Sequence, residues 1–404
     1  MQDRKINNLT ERLYYNDSTL LDFEAKVMAS GQHKDLYYVV LDRTAFYPTS
    51  GGQSFDTGTL NGAVICDVID SDDGDIRHLS KSEIAPVGQS VIGLIDKERR
   101  YRNCRNHTGQ HIISAAAHRL FDLETMSVHL GDEYAAVEFD TNSLSPDEVQ
   151  QLETAANDII ADNVEIEIIF AEASKIATLP LRKPPKRNGH LRIIRIGQFD
   201  YVACGGTHCT TSGGIGLVKI IGTEKIRGRL LVKYLAGKLA VEDYTQRFNT
   251  TDHLARMFTC HHSDLVAKID KLSIEHRELR QSLIETQKQM LPPLVQSLTN
   301  KVIETGAGKI VVEPIDGLEL PMVTRLATLT ADETGGLVVL VTEGRLLLAT
   351  ASQSGIHAGK LAKNMAERCS LKGGGNEGTA QLGGADMDAV ALYRDEIRKL
   401  LTNE

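Results

Sequence analysis

Two separated segments carry residue types that can bind a metal: His107-Thr-Gly-Gln-His111 and Cys204-Gly-Gly-Thr-His208, each with two soft donors four residues apart. On a helix that spacing puts both imidazoles on one face, so His107 and His111 can aim at one point. In the second segment Gly205 and Gly206 allow backbone angles closed to other residues, and the chain can fold Cys204 and His208 toward a common centre. Either half alone also fits a solvated helix face or a plain turn. Together they supply three nitrogens and one sulfur, the donor set of a tetrahedral zinc site holding one ion per chain. Cys209, beside His208, is an alternative thiolate that reads better as a strand residue after the turn. Cys104 reads as a buried structural thiol. His118 and His129 read as packed or solvated side chains, and His276 as a seam residue rather than a ligand.

These donors must be positioned by folded elements, and the composition allows them. The chain has 404 residues, a net charge of −9 and six scattered cysteines. It can bury two or three cores, and a disulfide framework is not expected. The charge argues against indiscriminate coating of nucleic acid, which is driven by phosphate neutralisation. No apolar run approaches a membrane span and the start lacks an apolar signal segment, so the reading is a cytoplasmic protein without a membrane anchor. Two basic clusters flank the donors: Arg99, Arg100, Arg102 and Arg105 before the first pair, and Arg182, Lys183, Lys186, Arg187, Arg192 and Arg195 before the second. They read either as phosphate contacts or as solvated faces.

Residues 1–94 contain short β-rich runs such as Tyr37–Leu41 and Ala63–Ile69 between glycine turns, which predicts a small β-barrel. Apolar residues Ile112, Ile113, Ala116 and Leu120 predict a helix over 101–120 that carries His107 and His111. A further helix starts at Pro146 behind the N-cap Ser145. Strands are expected over 164–170, 191–199 and 217–222, making 95–245 an α+β region. Within 246–300, Leu265, Ile269, Leu272, His276, Leu279 and Leu283 form a heptad seam ended by Pro292-Pro293. That is a helical connector or dimerisation arm, or else a helix packed on its own domain. Residues 301–404 read as an α/β unit with buried strands at 309–313 and 337–342. It closes in Gly373-Gly-Gly-Asn-Glu-Gly-Thr-Ala-Gln-Leu-Gly-Gly384, too rich in glycine for packed core. The fold class expected is α+β.

Three segments in this order, Arg43-Thr-Ala-Phe-Tyr-Pro-Thr-Ser-Gly-Gly-Gln53, Asn106-His-Thr-Gly-Gln-His111 and Cys204-Gly-Gly-Thr-His208, resemble the editing region of alanyl-tRNA synthetase. The glycine run resembles the DHH-associated domain that ends that enzyme. Without an aminoacylation domain, the whole is similar to the large form of the AlaX editing proteins. The resemblance implies a translation-protein-like barrel at 1–94, a zinc-containing editing domain at 95–245, a connector at 246–300 and a tRNA-binding DHH-associated domain at 301–404. It also implies a trans-acting deacylase of mischarged tRNA(Ala), and a homodimer through the 254–291 helix or the C-terminal domain is expected. Cys260-His261-His262 lacks the acidic partners of a DHH phosphoesterase cluster, so phosphodiester cleavage is not expected.

The chemistry accounts for such an activity. An apolar pocket built for alanine rejects an added hydroxyl by only about a hundredfold, so a second, hydrolytic sieve is required. The resemblance implies that Thr44 reads the serine hydroxyl. Gly51 and Gly52 would let the backbone approach the aminoacyl end, and Gln53 would hold its carbonyl or the terminal ribose. Ser50 stands where many members of that family have a third consecutive glycine. Arg105 is expected to contact substrate, and Gly373, Gly374 and Gly375 to offer backbone amides to phosphate or ribose. The expected reaction is zinc-assisted attack of water on the ester of Ser-tRNA(Ala), with Gly-tRNA(Ala) as a second candidate. The rivals are a non-catalytic tRNA-binding paralogue with a structural zinc and a zinc hydrolase of small esters.

Overall fold

The structure, a computed structural model, describes residues 10–71, 74–172, 176, 178–184, 191–306 and 308–402. Lys186 and Arg187 of the second basic cluster lie outside these, as do the first nine residues. The chain forms two compact units, residues 1–253 and 254–404.

The first unit opens with β1 (Glu11–Arg12), β2 (Asp22–His33), β3 (Leu36–Leu41), β4 (Arg43–Thr44), β5 (Gly58–Leu60), β6 (Ala63–Asp70), β7 (Ile76–Ser80) and β8 (Ser90–Ile95). Six of them close a barrel in the order β2-β3-β7-β6-β5-β8, while β1 pairs with β4 in parallel. The expected barrel is present, and its longest strand, β2, precedes the Tyr37–Leu41 run that signalled it. Alternate residues Phe23, Ala25 and Val27 of β2 fill its interior with Leu41, Phe46, Ile65 and Ile76.

Helix α1 (Lys97–Phe121) follows, capped by the Asp96 carboxylate accepting from the Glu98 and Arg99 amides. It starts one turn earlier than the apolar spacing predicts, because its first turn is charged and capped rather than apolar. From Asn103 to Ala117 every residue except Arg105 is buried, so this helix is enclosed on nearly all sides. Around it lie β9 (Thr125–Leu130), β10 (Ala135–Phe139), α2 (Pro146–Ala161), β11 (Ile166–Ala171), β12 (Leu191–Ile196), β13 (Asp200–Ala203), β14 (Val218–Ile226) and β15 (Arg229–Ala236). They form a β14-β15-β10-β9 sheet and a β11-β12-β13 sheet. Ile112, Ile113 and Ala116 pack with Phe139, Leu152, Ile194 and Val232 in one core. Ser145 caps α2 in a reciprocal box with Glu148.

Arg100, expected as part of a basic patch, is completely buried against Asp56, with Arg100 Nη1 also donating to the Ser18 carbonyl at 2.9 Å. The pair ties α1 to the barrel. Arg99 and Arg102 both reach Asp132, so this cluster is largely internal ion pairing.

Helix α3 (Lys238–Met257) comes next in the chain. The second unit holds α4 (Leu265–Thr299), β16 (Ile303–Thr305), β17 (Gly308–Pro314), α5 (Leu320–Thr334), β18 (Leu337–Thr342), β19 (Gly344–Thr350), α6 (Ala358–Cys369), β20 (Lys372–Gly375), β21 (Thr379–Ala385) and α7 (Val390–Thr402). Its sheet runs β16-β17-β18-β19-β21-β20 with β17 and β18 parallel. Along β17, Val311 faces the core of α4 and α5, while Ile310 and Val312 face that of α6 and α7.

Two expectations are corrected here. The heptad helix does not end at Pro292-Pro293 but continues to Thr299. Leu291 and Leu298, on either side of the prolines, are buried against the sheet, and that packing offsets the lost backbone bonds. The seam residues Ile269, Leu272, Leu279 and Leu283 are exposed, so they do not pack on their own unit. The glycine run is not excluded from packed core either. It forms the β20–β21 hairpin, and Ala380 and Leu382 between its glycines are buried, as is Ala385 just after them. Among the described residues, no helix is long and apolar enough to cross a membrane.

Candidate metal centre

His107 and His111 project from the enclosed stretch of α1. Cys204 and His208 come from the loop that leaves β13. The four donor atoms lie within 4.8 Å of one another. Cys204 Sγ is 3.4 Å from His107 Nε2 and 3.3 Å from His208 Nε2. Tetrahedral zinc with one sulfur and three nitrogens sets such edges at about 3.3 to 3.6 Å. Gly206 makes the approach possible: a Cβ there would collide with Cε1 and Nδ1 of His107.

Surrounding groups orient each ring. His107 Nδ1 lies 2.9 Å from Gln53 Oε1. The Gln53 amide is itself aligned, because Oε1 accepts from the Thr207 backbone N–H and Nε2 donates to Thr207 Oγ1. His107 therefore donates through Nδ1 and presents Nε2 toward Cys204. His208 Nδ1 faces Thr108 Oγ1 at 3.3 Å, which again leaves Nε2 for the centre. Among the described residues the buried His111 Nδ1 has no hydrogen-bond partner, and it lies 3.8 Å from the Asp200 carboxylate, which Arg182 holds at 2.8 Å.

Burial lowers the pKa of His107 to about 3. It drives His111 and His208 well below their ordinary value, with His107 and nearby arginines adding to the effect. All three are therefore neutral imidazoles, the form that binds metals. Burial raises the Cys204 thiol, while the Gly206 amide and the Arg192 charge act to lower it. Three neutral imidazoles and one thiol sulfur at ligand spacing, with the rings of His107 and His208 held by neighbouring side chains, fit a bound dication.

The other expected site residues fall in several places. Gln53 is completely buried, and its amide is engaged by His107 and Thr207. Gly51 and Gly52 form the preceding turn at φ of +59° and +85°. A Cβ on Gly52 would come within 2.6 Å of the Val128 carbonyl, so the turn sits against β9. Thr44 is enclosed in the barrel. Its hydroxyl lies 2.8 Å from His78 Nε2 and accepts from the Phe46 N–H at 3.1 Å. Arg105 is not brought to the centre. It stands about 200° around α1 from His107, donates to the Gly214 carbonyl and lines a cleft with Lys97, Tyr101 and Lys238. Gly373, Gly374 and Gly375 lie on edge strand β20 of the second unit. Cys104 is buried, and Cys209 is not among the converging donors.

Sequence reasoning missed Thr108, Thr207 and Asp200. The two threonines stand inside the ligand segments, where only the donors draw attention. Asp200 carries no local signal. The second basic cluster also turns inward. Arg182 pairs with Asp200, Arg195 with Glu167, and Lys183 donates to the Thr125 carbonyl. Arg192 donates to the carbonyls of Tyr15, Cys204 and Gly206.

Fold and centre together define an α+β protein with a barrel and a buried His3Cys cluster able to bind a metal. Residues 2–99 match the family described as tRNA synthetases class II (A), and residues 191–231 match the threonyl and alanyl tRNA synthetase second additional domain. The alanyl-tRNA editing protein AlaX-L of Pyrococcus horikoshii is 35% identical over 53% of this chain and 54% of its own length. The alanine–tRNA ligase of Archaeoglobus fulgidus is 29% identical over 92% of this chain and 42% of its own. The chain is thus homologous to AlaX-L and to alanyl-tRNA synthetases, and spans about half or less of the length of these relatives. Among solved structures, RecJ of Thermus thermophilus in complex with Mg2+ gives a TM-score of 0.25 at 18% identity, over 36% of this chain and 21% of that one.

Proposed function

We propose that this protein hydrolyses the aminoacyl ester of mischarged tRNA(Ala), removing serine, and that its His3Cys cluster holds one zinc ion. The observation that carries this reading is the convergence of His107, His111, Cys204 and His208 in a chain homologous to an alanyl-tRNA editing protein. Zinc on these ligands would supply Lewis-acid polarisation of the ester carbonyl. The chain's own residues supply the rest. Gln53 and Thr108 fix the tautomers and directions of two ligand rings, and the Asp200 carboxylate, held by Arg182, lies 3.8 Å from the third. Gln53 accordingly serves as a positioning residue. The attacker is water, and the products are free serine and tRNA(Ala).

Thr44 is the proposed reader of the serine side chain. His78 Nδ1 faces the Val39 carbonyl, which only accepts, so His78 Nε2 takes the Thr44 proton. With one lone pair given to the Phe46 N–H, Thr44 keeps a single acceptor position. It would pair with a hydroxyl donor and find nothing on alanine. Gly51 and Gly52 would line the approach of the aminoacyl end. The C-terminal glycine hairpin, Gly373 to Gly375 included, would contribute tRNA contacts, with a second copy of the chain docking along the exposed seam of α4.

A second reading follows from the four protein donors, since a filled tetrahedral shell is the mark of a structural zinc. Single-turnover deacylation of seryl-, glycyl- and alanyl-tRNA(Ala), with and without a chelator, separates the two. The catalytic reading expects rapid loss of serine, retention of alanine, and loss of both metal and activity in Cys204→Ser. A metal-replete protein that leaves seryl-tRNA(Ala) intact would establish the structural role.

A further inference from the structure

Arg192 is an unusual cation for a protein interior. It is 7% exposed, and among the described residues no carboxylate accepts from it. Its Nε donates to the Tyr15 carbonyl at 2.9 Å, and Nη1 donates to the carbonyls of Cys204 and Gly206 at 2.8 and 2.9 Å. The guanidinium lies over the Tyr15 ring, 5.4 Å from its centroid. Nη2 is buried and has no hydrogen-bond partner among the described residues. Buried charges are ordinarily paired, and an unused charged donor costs more than a neutral one. Each carbonyl Arg192 holds belongs to the ligand loop or to the tyrosine beside it, and its charge acts on all three ligand histidines. The groups whose charge acts on the guanidinium are Cys204, Tyr15, Tyr47 and Tyr14, none of them a carboxylate.

We infer that Arg192 is a further catalytic residue, whose free Nη2 binds the oxyanion that develops on the ester carbonyl of the substrate. This rests on the ester-hydrolase reading above. Water oxygen bonds to the carbonyl carbon, and the carbonyl π pair moves onto its oxygen, which Nη2 then meets as a charged acceptor. When that pair re-forms the double bond, the carbon–oxygen bond to the ribose breaks, and the proton lost by water passes to the ribose oxygen. A donor held in place before reaction and aimed where charge appears acts on the rate rather than on ground-state binding. The other three donor contacts of Arg192 keep the fork in place, so little reorganisation accompanies the step.

The test uses the full metal-loaded chain with Arg192→Lys and Arg192→Ala. Three probes are titrated: a neutral seryl-3′-amino-3′-deoxyadenosine amide, a negatively charged tetrahedral seryl phosphonate ester of adenosine, and the neutral amide carried on cytidylyl-adenosine. The wild type should prefer the phosphonate over the neutral amide. Arg192→Lys should lose most of that preference, with metal content unchanged and binding of the neutral amide within about threefold. Single-turnover kcat should fall about 100-fold or more with KM nearly constant, and added guanidinium ion should partly restore Arg192→Ala. Equal weakening of both adenosine probes, or loss of metal in Arg192→Lys, would reduce Arg192 to a support of the ligand loop. An Arg192-dependent gain from the cytidylyl phosphate would assign Nη2 to the nucleotide backbone instead, and overturn the oxyanion role. Failure of the hydrolase reading is distinguishable, because the wild type would then leave seryl-tRNA(Ala) intact whatever the probes bind.

Discussion

Gln53 Oε1 stands 2.9 Å from His107 Nδ1, and the same amide reaches across to Thr207 in the other ligand segment. One barrel-edge side chain therefore links the helix donors to the loop donors. Gln53→Leu removes the acceptor that fixes the His107 tautomer. Metal affinity should drop about 10- to 100-fold, as for other groups that orient a ligand ring. Competition with a chromogenic chelator measures this, and an unchanged affinity would show that packing alone orients His107.

Gly206→Ala places a methyl group on the imidazole of His107. The ring must move, so the variant should bind metal poorly while the barrel and both sheets stay folded. Metal analysis beside circular dichroism reads the two effects separately. Full metal content in a folded Gly206→Ala protein would mean that the loop yields instead of the ring.

Thr44→Val keeps shape while deleting the hydroxyl shared by His78 and the Phe46 amide. The ratio of kcat/KM for seryl- over alanyl-tRNA(Ala) should fall about 10-fold or more, since a lost polar partner costs about 1 to 3 kcal/mol. An unaltered ratio would assign the reading of serine to another group.

His78 is completely buried, and desolvation holds its pKa down to about 4, against 6.5 for a free histidine. The unfolded chain binds this proton first as pH falls. Its contribution is therefore full above about 6.5 and is lost progressively toward pH 4, by about 3 kcal/mol in all. Urea midpoints from neutral pH down to about 5 should decline more steeply in the wild type than in His78→Gln. Parallel declines would mean that His78 does not titrate in this window.

Much of the site was legible because its donors recur at short spacings. The i, i+4 pair on a helix and the glycine-flanked Cys–His pair each carry local geometry in their residue types, and the structure brings all four together. The barrel, the Ser145 cap and the buried strands of the second unit were equally readable, since their signals repeat every two residues or sit at one cap. The basic clusters misled for a physical reason. A run of arginines looks the same whether it faces solvent or, like Arg100 and Arg192, spends its donors on carboxylates and carbonyls far away in the chain.

The sequence by itself determined the kinds of donors, the elements that carry them and the alternation that builds each core. Tertiary structure decided which groups attend the donors: Gln53 on His107, Thr108 on His208, Asp200 near His111, and Arg192 on the ligand loop. These contacts join residues as much as 100 positions apart, as between Thr108 and His208, and no local periodicity encodes such a pairing. Only the packing of α1 inside its sheets and against the barrel sets which polar atoms meet and which, like Arg192 Nη2, are left without a partner.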